Sequence, residues 1–380
     1  MSLNRSLYQS LSNLQAVCLK KNIPFASYRL PLQSEITTLV QHQSLPEKLN
    51  TLENINHQSG FVVAPFVESA AHETFLLSPE SIFYSDNIEL EFVENLKKNN
   101  FFLSFPKPSD CEINSTPTAD FISQVNVAVE AMEEGHFHKV VLSKIRLEKL
   151  NNDFIAADFF LKLCEKYPHA FVYLIQLPQV GCWIGATPEP LLTIENESVK
   201  TVSLAGTQLA NNAEINSYTW SKKEFEEQGI VTDFVEQTLR SLQIENYTKI
   251  GPMSYQAANL IHLKTSFEFA KTDLKSRLGD FLKALHPTPS VGGLPKKEAR
   301  DFILANEKHD RAYYTGFLGP INIDKKTHVF VNLRCLQLFE SQFVLYSGAG
   351  ITASSVAKKE CEETDNKMMT LMNVMMTPNP

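Results

Sequence analysis

The sequence lacks the features of an extracellular or membrane protein. Its six cysteines are scattered without a CxxC pair or the spacing of a zinc site. We interpret them as reduced, mostly buried thiols of an intracellular protein. No apolar run approaches the roughly 18 residues that a membrane helix needs, and residues 1–10 lack the apolar core of a signal peptide. We therefore expect a cytoplasmic protein that does not contact a membrane.

The chain also lacks an excess of positive charge. Its 35 Lys and Arg residues against 43 Asp and Glu residues leave a net charge of -8, which disfavours nucleic acid as a partner. An anionic ligand would therefore need local cations or a metal ion. The chain is rich in apolar residues, since 43% of its 380 residues are hydrophobic, and this is enough for a large core. We find no amphipathic seam, so we expect a monomer without an obligatory protein partner.

The chain divides into two zones of different regularity. Residues 1–115 show weak periodicity and end in a Pro- and Ser-containing stretch at 105–117 that is typical of a loop. Beyond it, helical and strand patterns alternate without a βαβ rhythm, which predicts an α+β fold with large antiparallel sheets. We expect one domain over residues 1–380, with its catalytic core in 118–375.

Acidic residues cluster on two predicted helices. On the last helix, Glu360, Glu363 and Lys367 share one face because their offsets are 0, 3 and 7. The helix predicted over 221–242 carries the acidic residues Glu224, Glu226 and Glu227. Carboxylates from two helices are able to hold a magnesium ion together with water and an anionic substrate. The alternative is two solvated charged faces.

Three segments rich in glycine, proline or small residues are candidate pocket walls. Glycines in Gly348-Ala-Gly350 would let backbone amides approach an anion ahead of a helix, or would simply form a tight turn. Ser203-Leu-Ala-Gly-Thr207 leaves room for a ligand at the end of a strand, or marks a β-bulge. The stiff segment 285–295 contains three prolines and two glycines and could line a pocket.

Three charged residues have both a functional and an ordinary interpretation. Arg334 lies in the otherwise apolar stretch 329–336 of a strand predicted over 327–338, and its charge there needs an ion-pair partner or a substrate carboxylate. Lys139 opens a predicted strand, a place where most lysines are solvated. Glu189 follows Pro188 and would usually be a turn residue.

Taken in order, eight segments over residues 118–375 resemble the chorismate-utilising enzymes. The segments are Lys139-Val-Val-Leu-Ser-Lys144, Gly185-Ala-Thr-Pro-Glu189, Leu204-Ala-Gly-Thr207, Ile261-His-Leu263, Leu285-His-Pro-Thr-Pro289, Asp310-Arg-Ala-Tyr-Tyr-Thr-Gly316, Gly348-Ala-Gly-Ile351 and Glu360-x-x-Glu363-Thr364-x-x-Lys367. The resemblance implies antiparallel sheets packed as a sandwich with helices outside. It also implies chorismate as the substrate and Mg²⁺ as the cofactor.

The resemblance also implies roles for individual residues. Lys139 would be the base that activates water, and Glu189 the acid that protonates the leaving hydroxyl. The implied metal ligands are Glu226, Glu360 and Glu363. The implied substrate-binding residues are Ala205, Gly206, Thr207, His262, Arg334, Tyr346, Gly348, Ala349, Gly350 and Lys367. A base of this kind must be neutral and the acid must stay protonated, so both need an unusual environment.

Within the family, the residues favour the addition of water, which makes isochorismate for menaquinone or siderophore synthesis. Aminodeoxychorismate synthases resemble one another in having a nucleophilic lysine before the Gly-Thr pair. This chain has Ala205 at that position, which makes covalent lysine chemistry an unfavoured alternative. We find no tryptophan-sensing region of the kind that anthranilate synthases carry. Salicylate synthase, an ammonia-dependent enzyme of the anthranilate type and a non-enzymatic chorismate-binding regulator remain the alternatives.

This sequence departs from the family pattern in the second helix. The family often has Glu-His there, whereas this chain has Glu226-Glu227. The choice of metal ligand between these two residues therefore stays open. Thr187 also stands where the family often has serine, and Ser290 where it often has alanine.

Overall fold

The computed structural model describes residues 8–85, 87–98, 113–209, 215–257 and 260–376. The helices of this part are α1 (Gln9–Lys21), α2 (Leu90–Lys98), α3 (Thr118–Glu133), α4 (Ala156–Lys166), α5 (Lys222–Ser241), α6 (Leu278–Leu285), α7 (Lys296–Asn306) and α8 (Ala357–Met375). The strands are β1 (Phe25–Arg29), β2 (Thr37–Val40), β3 (Glu47–Lys48), β4 (Gly60–Ala64), β5 (Phe75–Leu77), β6 (Ser81–Tyr84), β7 (Lys139–Lys149), β8 (Phe171–Leu177), β9 (Gly181–Thr187), β10 (Pro190–Glu195), β11 (Ser198–Leu209), β12 (Thr248–Ala257), β13 (Leu260–Ala270), β14 (Gly293–Leu294), β15 (Phe317–Ile321), β16 (Thr327–Val331), β17 (Cys335–Leu338) and β18 (Gln342–Ile351). None of the described helices is long and apolar enough to cross a bilayer.

The strands form two nine-stranded sheets. The first has the order β14-β7-β18-β17-β9-β8-β1-β2-β6, and the second has the order β12-β13-β11-β10-β16-β15-β4-β5-β3. Neighbouring strands run antiparallel, as in the ten-residue register between β18 and β7. The sequence prediction of large antiparallel sheets is confirmed.

The inner faces of the two sheets share one hydrophobic core. Tyr173 and Trp183 of the first sheet are fully buried in the same cluster as Phe61 and Phe330 of the second. The rings of Phe171 and Phe330 stack across the two sheets with their centroids 4.2 Å apart. Alternation along each strand places the next residues against the helices outside.

The helices cover the outer faces of the sheets. Helices α1, α4 and α8 pack on the first sheet through a cluster that includes Leu14, Phe160 and Leu371. Helices α5 and α6 pack on the second sheet through Leu239 and Phe281. The predicted sandwich with helices outside is therefore confirmed.

The N-terminal zone supplies strands to both sheets. Strands β1, β2 and β6 extend the first sheet, while β3, β4 and β5 extend the second. The five described cysteines are free and buried, as expected for thiols; Cys111 lies outside the described residues. The prediction of a single domain over the whole chain stays a prediction.

Two predicted elements near the C-terminus are wrong. The strand predicted over 327–338 is divided into β16 and β17, because Arg334 adopts a left-handed backbone conformation with φ of 48°. Gly348-Ala-Gly350 is not a loop before a helix but part of β18, paired with β7, and α8 begins only at Ala357. The backbone amides of these glycines therefore do not form an anion site at a helix start.

Candidate active site

A pocket opens between the two sheets and beside helices α5 and α8. It has a cavity volume of about 110 Å³. Its lining includes the predicted residues Lys139, Glu189, Ala205, Gly206, His262, Arg334, Tyr346, Gly348, Gly350, Glu363 and Lys367. Residues from seven separate segments of the sequence thus meet in one place.

Lys139 opens β7 and is almost completely buried, with 2% of its side chain exposed. Its Nζ donates a 2.8 Å hydrogen bond to Oε1 of Glu227 on α5. A Cβ atom at Gly350 would lie 3.2 Å from Cε of Lys139. Glycine at this position of β18 therefore keeps space for the lysine side chain, which explains part of the glycine-rich segment.

Glu189 lies between β9 and β10, where the chain passes from the first sheet to the second. Within the described residues, its carboxyl group has no hydrogen bond or ion pair. Removal from water raises the pKa of Glu189 to about 7, although the positive charges of Lys139, Lys367 and Arg334 oppose this shift. At neutral pH a large fraction of this group is therefore protonated.

Two cations lie on the side of the pocket formed by β17 and α8. Lys367 donates to Oε1 of Glu363 at 2.7 Å and to the carbonyl of Gly348 at 2.9 Å. Attraction to Lys367 holds the pKa of Glu363 below its usual value. Arg334 donates to the carbonyl of Lys367 and to Oγ1 of Thr370, both at 3.3 Å. The turn that divides β16 from β17 directs Arg334 to this wall, where it is able to meet a substrate carboxylate.

A β-bulge at Gly206 forms another wall. The register of β11 on β13 shifts between Ala205 and Thr207, and Gly206 has φ of 66°. Its carbonyl accepts a 3.0 Å hydrogen bond from Nδ1 of His262. Burial, together with the charge of Arg334, lowers the pKa of His262 to about 4, so this histidine is neutral near pH 7. The side chain of Thr207 lies outside the described residues.

Tyrosine rings close the floor of the pocket. Tyr346 is stacked on Trp183 at 5.2 Å and on Tyr314 at 5.4 Å. Tyr314 belongs to the segment Asp310–Gly316, and its position in the pocket does not follow from its residue type. A Cβ atom at Gly348 would lie 3.0 Å from the Tyr314 hydroxyl, so glycine makes room for that group. Ser290, from the proline-rich segment, also lines the pocket.

Three residues predicted to bind metal or substrate lie outside the pocket lining. Glu226 points away from the sheets on α5, so 64% of its side chain is exposed. Its Oε1 lies 3.5 Å from Nζ of Lys222. Glu360 lies one turn before Glu363 and does not line the pocket. Ala349 alternates to the opposite face of β18, where it is fully buried against α3 and α8.

Glu227, the alternative to Glu226 as a metal ligand, has a different position from Glu226 on α5. Its carboxylate lines the pocket and lies close enough to Glu363 to repel it electrostatically. Among the described side chains, no group of three or more His, Cys, Asp or Glu could hold a metal. Two carboxylates nevertheless suit Mg²⁺, which keeps several waters and binds through one or two protein carboxylates and the substrate. The donors present therefore fit this ion.

Comparison with known proteins identifies the family. The model of the chorismate binding enzyme family matches residues 56–376. The chain belongs to the chorismate-binding enzymes. Seven of the eight segments that carry the resemblance contribute residues to the lining of this pocket, and 285–289 does not.

Relatives within this family carry the name isochorismate synthase. The chain is 30% identical over 243 residues to isochorismate synthase EntC of Escherichia coli strain K12. This match covers 62% of this chain and 62% of EntC. The chain is 29% identical over 266 residues to the vibriobactin-specific isochorismate synthase of Vibrio cholerae, covering 68% of this chain and 67% of that one. The match thus spans about three fifths of the length of EntC.

A solved structure shows the same fold. MenF, the menaquinone-specific isochorismate synthase from Escherichia coli, superimposes with a TM-score of 0.76 at 19% identity. The match covers 98% of this chain and 92% of MenF. At this identity the likeness concerns the fold, and the chemistry must be argued from the pocket.

Proposed function

We propose that the protein is a magnesium-dependent isochorismate synthase. The observation that carries the proposal is that Lys139 and Glu189 line one pocket, together with the cations Arg334 and Lys367. A basic amine, a carboxyl group with a raised pKa and two cations are the groups that this reaction needs. Relatives named isochorismate synthase support the same activity.

The reaction replaces one ring hydroxyl by another. Water adds to C2 of chorismate, the ring double bonds shift, and the hydroxyl on C4 departs. Lys139 accepts the proton of the attacking water at its Nζ. Glu189 donates its proton to the departing hydroxyl, which leaves as water. The raised pKa of Glu189, about 7, keeps this proton available near neutral pH.

The other pocket residues hold and orient the substrate. Arg334 and Lys367 lie where they can bind a carboxylate of chorismate, and His262 contacts the ring hydroxyl region as a neutral group. Glu227 and Glu363 would hold Mg²⁺. When bound, the ion would neutralise the ring carboxylate next to these two acidic side chains.

Glu227 has two tasks in this scheme, because it also accepts a hydrogen bond from Lys139. A cation held by Glu227 would weaken the hydrogen bond between this carboxylate and Lys139. The proposal further includes cytoplasmic location, a monomer and chorismate as the one required small-molecule partner. The location and the monomer are expectations from the sequence alone, whereas chorismate as the small-molecule partner rests on the family.

Incubation of the purified protein with chorismate and Mg²⁺, followed by chromatography, tests the proposal. We expect isochorismate as the product, and no turnover after the metal is chelated. Salicylate with pyruvate would indicate a salicylate synthase instead. Formation of an amino acid only after ammonium is added would indicate chemistry of the anthranilate type. Binding of chorismate without any product would contradict an enzymatic role.

A further inference from the structure

A buried ion pair lies directly behind the pocket wall. Arg311 and Glu307 have 4% and 3% of their side chains exposed, and neither lines the pocket. The contact is bidentate: Nη2 of Arg311 donates to Oε1 of Glu307 at 2.6 Å, and Nε donates to Oε2 at 2.7 Å. Burying two charges is costly unless the remaining donors and acceptors are also satisfied.

The remaining donors of Arg311 contact three different walls of the pocket. Nη2 donates to the carbonyl of Val141 at 2.6 Å, while Nη1 donates to the carbonyl of Val291 at 3.1 Å and to Oγ1 of Thr315 at 3.3 Å. All three contacted residues line the pocket. They belong to β7, to the segment after α6 and to the segment before β15. One guanidinium therefore joins three walls.

Glu307 adds a second attachment to β7. Its Oε1 accepts hydrogen bonds from the backbone N–H of Ser143 at 2.6 Å and from the Ser143 hydroxyl at 3.0 Å. Val141 and Ser143 lie two and four residues after Lys139, so their side chains share its face of the strand. The ion pair thus holds β7 next to the residue that we assign as the base. Arg334 and Lys367 lie on other elements.

We propose that Arg311, held by Glu307, is a positioning residue that fixes Lys139 relative to the bound ring. The inference rests on the proposed function, because it assigns Lys139 as the reacting amine. Lysine could not replace Arg311, since one ammonium lacks the planar fork that reaches a carboxylate and three other acceptors at once. Displacement of a reacting group by about 1 Å is enough to reduce the rate by about 100-fold.

The test compares Arg311→Lys with Arg29→Lys. Arg29 is a matched control because it is also buried and donates to several carbonyl groups, those of Leu30, Tyr167, Pro168 and Ala170, but lies on β1 and does not line the pocket. Both variants should lower the melting temperature. Arg311→Lys should lower kcat by about 10-fold or more while KM for chorismate changes by less than about 3-fold. Arg29→Lys should keep kcat within about 2-fold once activity is expressed per folded molecule.

A second variant examines the partner. Glu307→Gln keeps the shape of the side chain but removes its charge, so kcat should fall in the same direction as for Arg311→Lys. Because the two residues act together, the double variant should be little worse than Arg311→Lys alone. Fully additive losses would indicate two independent effects and would contradict a joint positioning role.

Several results would overturn the inference. Arg311→Lys with unchanged kcat, or with a loss that equals the Arg29→Lys loss, would show that the pair only stabilises the fold. A higher KM with unchanged kcat would place the effect on binding rather than on Lys139. If the wild type forms salicylate or an amino acid, the proposed function fails, but the same comparison is made on that product. If it forms nothing, crystal structures of both variants decide, because only Arg311→Lys should displace β7 around Lys139.

Discussion

Lys139 and Glu189 lie in the same pocket, yet the fold accommodates their charges in opposite ways. Lys139 is paired with a carboxylate, that of Glu227, at 2.8 Å. Glu189 has no such partner among the described residues, and desolvation raises its pKa to about 7. Burial of a charge is costly in both cases. For Lys139, the ion pair with Glu227 offsets the cost of burying the charge. For Glu189, protonation reduces this cost by removing the charge.

The difference indicates how the two residues would be made ready for catalysis. A carboxyl group that is protonated near neutral pH can serve as an acid without any rearrangement. Lys139 donates to Glu227, and its amine can accept a proton only when the nitrogen carries a free lone pair. In the proposed mechanism, Glu189 is therefore available as an acid as it stands, whereas the role of Lys139 as a base also depends on its contact with Glu227.

Replacement of Lys139, the residue that is paired with Glu227, should have the largest effect on turnover. Lys139→Ala removes the proposed base, and we expect turnover of chorismate to fall by about 10²- to 10⁴-fold. Product formation measured by chromatography gives the rate, and circular dichroism verifies the fold. Lys149→Ala, at the exposed end of the same strand, is the control and should keep its activity. A rate for Lys139→Ala near that of the control would remove Lys139 from the mechanism.

Replacement of Glu189 should have a smaller effect on turnover, and this effect should depend on pH. Glu189→Gln keeps the neutral shape but cannot donate a proton, so we expect a loss of about 100-fold. In the wild type, kcat/KM should decline as the pH rises through about 7, because Glu189 then loses its proton. The residual activity of Glu189→Gln should lack this decline. If kcat/KM of the variant still declined through the same pH range, a titratable group other than Glu189 would be responsible for the decline.

The third prediction concerns the partner of Lys139 and has the smallest expected effect on the maximal rate. Glu227→Gln should raise the Mg²⁺ concentration for half-maximal activity by about 10-fold or more, since it removes one of two proposed ligands. Its neighbour Glu226, exposed on α5, provides the matched control Glu226→Gln. Titration of both variants with Mg²⁺ distinguishes them. If Glu226→Gln raised the Mg²⁺ requirement and Glu227→Gln did not, Glu226 would be the metal ligand.

Much of the fold and part of the candidate site were predictable from local patterns. The strand at Lys139 and the helix that carries Glu363 and Lys367 follow from residue periodicity, and both elements are present. The choice between Glu226 and Glu227 did not follow, because adjacent helical residues differ by about 100° in direction. Only the packing of α5 on β11 decides which carboxylate reaches Lys139.

Other predictions failed because the backbone conformation was not visible in the sequence. Gly348-Ala-Gly350 has the composition of a turn, but ten paired residues hold it in a strand. Once it is a strand, Ala349 must face away from Gly348 and Gly350, and it cannot line the same pocket. The roles of Tyr314 and of the Arg311–Glu307 pair also required contacts between elements distant in the chain.

The class of fold and the residue types available for chemistry follow from the amino-acid order alone, because alternation and helical spacing are local properties of the chain. The order of the segments that carry the resemblance also indicates the family. Which charges are paired, and which are removed from water without a partner among the described residues, follows from the packing of the strands and helices. Those outcomes depend on distances between side chains from different strands and helices, and no local pattern specifies such distances.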